Sequence, residues 1–125
     1  MRLKELVLHN NKLSGALPLL AKGWTVLEEL NISNNKFTGM IPDYLGNLPN
    51  IRKINLSFNK FSGEIPASLF NSNSLEVLYL NENQLSGEIS NYCCKKLIKF
   101  LIYGNSFCPP YPNCIKYIGD QTCKK

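Results

Sequence analysis

Five cysteines and one histidine are the residues in this chain with the richest chemistry, and their spacing limits what they can do. Cys93, Cys94, Cys108, Cys114 and Cys123 gather towards the C-terminus, whereas His9 lies near the start. A thiol nucleophile needs a base within hydrogen-bond reach, and these groups belong to opposite ends of the chain. The run Cys108-x5-Cys114-x8-Cys123 matches no common zinc spacing. Disulfides are the remaining chemistry. Cys114 and Cys123 enclose a short loop and are the expected pair, with Cys108 reaching back to Cys93 or Cys94 and a fifth cysteine left over. Glu28 and Glu29 are neighbours on one segment, so their carboxylates diverge, and no glycine loop is built to cradle a phosphate. The expectation is a protein without catalytic residues, metal or cofactor.

The elements that carry these residues announce themselves by period. Asn11, Asn35, Asn59, Asn83 and Asn105 follow one another at 24, 24, 24 and 22 residues. Each sits in the same phrase, which in the third copy runs Ile51, Ile54, Leu56, Asn59, Phe61, Gly63, Ile65-Pro66. Within a copy, Leu78 and Leu80 read as inward positions of a short strand, so Val77, Tyr79 and Asn81 read as outward ones. The five asparagines read as a structural ladder, because an inward amide can satisfy turn groups that strand pairing leaves open. Repeats at this period, with apolar residues at fixed offsets, resemble a leucine-rich-repeat solenoid. The expected fold is an α/β solenoid, a right-handed superhelix with a concave parallel sheet. Five repeats start near 3, 27, 51, 75 and 97 and fill 1–107, and a cysteine-containing cap fills 108–125.

The phrases LSGALP, FTGMIP, FSGEIP and LSGEIS are similar to the 24-residue plant-type extracellular repeat. That family includes receptor-like proteins, receptor-like kinase ectodomains and polygalacturonase-inhibiting proteins. The resemblance covers nearly all of the chain up to Phe107 and implies recognition of a protein, peptide or glycan on the concave face, in signalling or defence. It also implies a second short sheet around Gly-x-Ile-Pro, which Ser90 in place of proline is expected to end early in the fourth repeat. A soluble inhibitor of a wall-degrading enzyme and a small intracellular scaffold are the alternatives.

Read column by column, the outward positions change character along the chain. Early repeats carry polar filler, while Phe58, Val77, Tyr79, Leu101 and Tyr103 make an apolar and aromatic patch flanked by Lys53, Glu82 and Lys99. Grouped aromatics on a rigid sheet are typical binding anchors, and Phe58, Val77, Tyr79, Glu82, Lys99, Leu101 and Tyr103 are the expected ligand-binding residues. The competing reading has the cap or a partner domain covering them. Asn31-Ile-Ser and Asn55-Leu-Ser are glycosylation sequons. The same tripeptides are also the repeat's consensus, so their occupancy stays open.

Charge adds little selectivity. A net charge of +5 favours acidic partners; the ladder Lys12, Lys36, Lys60 reads as a solvated face ahead of a docking track, and as a track its partner, from the cell-wall setting the resemblance implies, is an acidic polysaccharide. Lys95, Lys96, Lys99, Lys124 and Lys125 lack the interleaved aromatics that nucleic-acid binding uses, apart from Tyr103 and Tyr111. The cysteines favour an oxidising compartment, yet no secretory signal follows Met1 and Leu3 already belongs to the first repeat. The chain is therefore expected to be the C-terminal part of a longer secreted or membrane-tethered protein. Any membrane contact would run through a segment outside it, and the apolar first repeat would invite self-association.

Overall fold

The computed structural model describes residues 4–17, 24–89 and 97–123. Among them, ten short strands alternate between two parallel sheets. The first sheet contains β1 (Glu5–Val7), β3 (Glu29–Asn31), β5 (Lys53–Asn55), β7 (Val77–Tyr79) and β9 (Lys99–Leu101), stacked in that order. The second contains β2 (Ser14–Gly15), β4 (Lys36–Met40), β6 (Lys60–Gly63), β8 (Gln84–Gly87) and β10 (Ser106–Phe107). Against expectation, the second sheet does not stop in the fourth repeat. It continues through β8 to β10, which pair at Ser86–Ser106 and Gly87–Phe107.

Alternation within each three-residue strand builds the core. Leu30, Ile54 and Leu78 occupy the middle positions of successive strands, pair in register and are fully buried. Their flanking residues face the other way. Leu27, Ile51 and Leu75 enter each strand from below, while Ile32, Leu56, Leu80 and Ile102 leave it inward. Phe61 and Phe107 fill the space behind the second sheet, with Phe37 stacked on Phe61 at 6.1 Å between ring centroids. After each Gly-x-Ile-Pro segment the chain turns across the back. A 3-10 turn over Asp43–Asn47 follows Pro42, and helix α1 (Ala67–Asn71) follows Pro66. Proline suits both starts because its fixed φ is helix-compatible and its missing N–H costs nothing there. Gly46 lets the two turns touch, since a Cβ on it would stand 2.3 Å from the Ser68 carbonyl carbon.

The asparagine ladder has a definite wiring. Asn59 donates from Nδ2 to its own repeat's Leu56 carbonyl at 3.2 Å and to Ile32 of the preceding repeat at 3.0 Å. Its Oδ1 accepts the Phe37 N–H at 3.0 Å. Asn35, Asn83 and Asn105 repeat the arrangement. Asn11 is exposed and donates locally, to Leu8 and His9.

The cap corrects the expected disulfide pairing. Cys123 bonds Cys108, not Cys114, with the two Cα atoms 4.8 Å apart. The reason is a shortened sixth turn. Ile118-x-x-Gln121 comes back alongside Ile102-x-x-Asn105, with Asn105 and Gln121 in a parallel bridge. That return delivers Cys123 beside Cys108, which therefore does not reach back to Cys93 or Cys94. Those two residues lie outside the described ones. Cys114 is disulfide-bonded as well.

Candidate functional site

The outward residues of the first sheet form columns that the register fixes. One column runs Glu5, Glu29, Lys53, Val77, Lys99, and the next runs Val7, Asn31, Asn55, Tyr79, Leu101. The second and third rungs of the latter column are polar and self-satisfied. Asn31 Oδ1 accepts the Ser33 N–H at 3.1 Å and the Ser33 hydroxyl at 2.7 Å, and Asn55 does the same with Ser57 at 3.1 and 2.6 Å. Both sequon asparagines are half-buried and both serines buried. In the fourth rung Tyr79 and Asn81 replace that Asn–Ser pair. Asn81 does not point into solvent as its strand alternation suggests. It is 4% exposed and its Oδ1 has no hydrogen-bond partner.

Beyond that rung the face becomes apolar and concave in a second direction. The cap segment Cys114–Tyr117 stands beside the end of the sheet and encloses a cleft of about 400 Å³. Tyr79, Lys99 and Leu101 line it from the sheet, and Ile115, Lys116 and Tyr117 from the cap. Ile98 stands at its margin, 71% exposed. Tyr103 lies against Tyr117, ring centroids 5.8 Å apart and tilted by 49°. On the opposite side, the Lys53 ammonium sits 5.8 Å from the Tyr79 ring centroid, a cation–π arrangement that holds the ring over the sheet. From behind, Phe100 meets Phe70 edge-on at 5.8 Å, which fixes β9 against the back of the solenoid. The cleft therefore has an apolar floor and a wall that carries lysine and tyrosine side chains, and among the described residues no acidic one lines it.

Not all seven expected binding residues meet there. Tyr79, Lys99 and Leu101 line the cleft, and Tyr103 reaches it through Tyr117. Val77 lies on the same sheet but borders a separate charged recess with Glu29, Lys53, Arg52 and Glu76. Phe58 and Glu82 sit in the turn that follows the strands, with φ of 56° and 59°, where Asn10 and Asn34 sit in earlier repeats. Glu82 leans on Gly104, whose missing Cβ would come 2.6 Å from its carboxyl carbon. The cap residues Ile115, Lys116 and Tyr117 are not among the expected binding residues, and their place against the patch is what the competing reading, with the cap over it, describes. The signal for them is the apolar pattern Ile115, Tyr117, Ile118 in a segment whose short return the repeat period does not show.

Lys12, Lys36 and Lys60 are exposed along the turn edge, away from the cleft. Among the described residues no cluster of three or more His, Cys, Asp or Glu gathers as a metal site, and no helix is long and apolar enough to cross a membrane.

Residues 1–61 match the leucine rich repeat family, and residues 74–95 match a second description of the same repeat. Among proteins of curated function none matches significantly. Solved structures do. The Arabidopsis receptor kinase HAESA, in complex with the peptide hormone IDA and the co-receptor SERK1, is 39% identical over 82% of this chain, with a TM-score of 0.77. The BIR3–SERK2 complex from Arabidopsis thaliana is 28% identical over 88%, TM-score 0.78. The ectodomain of the Arabidopsis thaliana receptor kinase SOBIR1 is 34% identical over 86%, TM-score 0.72. This chain spans 17% of the HAESA chain and 60% of each of the other two.

Proposed function

Because the chain belongs to the leucine-rich-repeat family in its plant extracellular form, we propose that it is a recognition module that binds a protein or peptide ligand on its concave face. The observation that carries this reading is the cleft where Tyr79 and Leu101 of the sheet meet Ile115 and Tyr117 of the cap. Half-buried apolar side chains such as Tyr79, Leu101 and Ile115, beside the exposed Tyr117, lose little further entropy on binding and suit an anchor residue from a partner. HAESA is described with a peptide hormone and a co-receptor, the partner class proposed for this chain. Its place is the cell exterior, where disulfides such as Cys108–Cys123 persist, and its work is signalling or defence by binding, without chemical turnover.

Selection from a displayed peptide library against the purified protein tests this directly. Selected peptides should lose binding on Leu101→Asp or Tyr79→Ala. They should keep it on Met40→Asp, a position 64% exposed on the second sheet. An empty selection, or binders indifferent to Leu101→Asp, would sink the reading.

A further inference from the structure

The column Glu5, Glu29, Lys53, Val77, Lys99 changes sign along the solenoid, and this bears on what the ligand is. Its first two rungs are carboxylates and its third and fifth are ammonium groups. Lys116 from the cap adds a further positive charge at the cleft. Among the described residues Arg52 and Glu76 form an ion pair at 2.9 Å, while Glu5, Glu29, Lys99 and Lys116 have none. The face thus runs from a carboxylate end, where Glu5, Glu28 and Glu29 share a recess with Arg52 and Lys53, to an ammonium end at Lys99 and Lys116, with the apolar cleft at the latter.

We infer that this surface takes a dipolar peptide lying across the strands, with a basic residue over Glu5 and Glu29 and an apolar–acidic pair at the cleft. The apolar side chain seats on Leu101 and Ile115, and the neighbouring carboxylate lies between Lys99 and Lys116. Four rungs separate Glu5 from Lys99. At the spacing of paired strands that is about 19 Å, the reach of about six extended residues. Complementary charge of this kind selects partner and orientation more than it adds affinity, and it fades with salt. The inference rests on the concave-face reading and specifies its ligand.

A charge-swap experiment on the whole chain tests it. The matched probe is a seven-residue peptide blocked at both ends, with Lys first, a Gly-Ser spacer, and Leu-Glu last. The swapped probe has Glu first and Leu-Lys last. Titration followed by NMR should show the matched probe binding at least about tenfold more tightly at low salt. That preference should invert on the protein E5K/E29K/K99E/K116E, four surface positions that leave the core untouched. Equal binding of the two probes, abolished by Leu101→Asp, would overturn the charge inference while leaving the cleft as a binding site. Binding of neither probe overturns the inference, and the library selection then decides separately whether the face binds peptides at all. Shifts in the cleft that track protein concentration without peptide would assign it to a second copy of the chain and likewise overturn the proposal.

Discussion

Gln121 lies beside Asn105 as the next rung of the amide ladder. Its Oε1 accepts the Phe107 N–H at 3.0 Å, and its Nε2 donates to Ile102 at 2.8 Å and to Ile118 at 2.9 Å. These are the same three kinds of partner that Asn59 finds. Gln121→Leu leaves the Phe107 N–H and two carbonyls unmet, which costs roughly 1–3 kcal/mol. Asn59→Leu, in the middle of the stack, should lose at least as much. Chemical denaturation of the two variants checks this, and an unchanged midpoint for Gln121→Leu would demote the cap rung to a coincidence of geometry.

Phe58 holds a left-handed backbone, φ 56°, with its ring 46% exposed. Asn34 takes the same turn position one repeat earlier with the same φ, and asparagine tolerates that region far better than a bulky residue. Phe58→Asn should therefore raise stability by about 1 kcal/mol. A lower melting temperature would mean that contacts of the ring outweigh the backbone strain.

Tyr44 has a buried hydroxyl without a hydrogen-bond partner, beside the edge of Trp24 at 6.3 Å. Burial raises its pKa above the ordinary 10.0. The folded state thus holds the phenol proton more tightly than the unfolded state, so stability is full below pH 10.0 and declines as pH rises through the raised folded value. Tyr44→Phe should flatten that alkaline decline. At neutral pH it should be neutral or stabilising by about 1 kcal/mol, because it removes an unmet polar group. Melts between neutral pH and pH 11 compare the two proteins.

Gly46 faces backbone rather than a flexible side chain, with Ser68 and Leu69 atoms at 2.3 to 2.5 Å from a built Cβ. Gly46→Ala must push the 3-10 turn away from α1 and should cost about 1–3 kcal/mol. Hydrogen exchange should locate the loosening at 43–47 and 67–71. Protection equal to wild type in both segments would count against the contact.

Replacing Cys108 and Cys123 together by serine opens a loop of 15 residues, worth about 3 kcal/mol where the native geometry is relaxed. Because the cap wall of the cleft hangs from this closure, peptide affinity should fall along with the melting temperature. Loss of stability with affinity intact would show that packing and the Cys114 disulfide hold Ile115 and Tyr117 without this bridge.

The repeats were legible because each inward position recurs at a fixed offset from an asparagine, as with Leu78, Leu80 and Asn83. The fourth-rung change at Tyr79 and the step to Leu101 and Tyr103 were visible in the same columns, and these residues do reach the cleft or its margin. What escaped was the cap. The sixth rung arrives 16 residues after Asn105 instead of 24, and glutamine stands where asparagine would have been sought. With that rung unseen, Cys123 had no reason to meet Cys108, and the covering of Tyr103 by the cap could be named only as an alternative, without Tyr117 as the residue that does it. Phe58 and Glu82 adjoin the strands in sequence, and the structure places both in the left-handed turn that follows them rather than in the cleft lining.

The direction in which the amides reach has a consequence for how the protein is made. Asn59 closes the turn of the repeat before it, through Ile32 and Phe37, and each described rung from Asn35 onward does the same for its predecessor. A chain emerging N-terminus first cannot complete a turn until the next asparagine, 24 residues later in the first four repeats, has left the ribosome. Consolidation thus trails synthesis by one repeat all along the solenoid. The last described turn waits for Gln121, which closes on Ile102 and Phe107, so the cap end of the binding face is the last part of it to be completed.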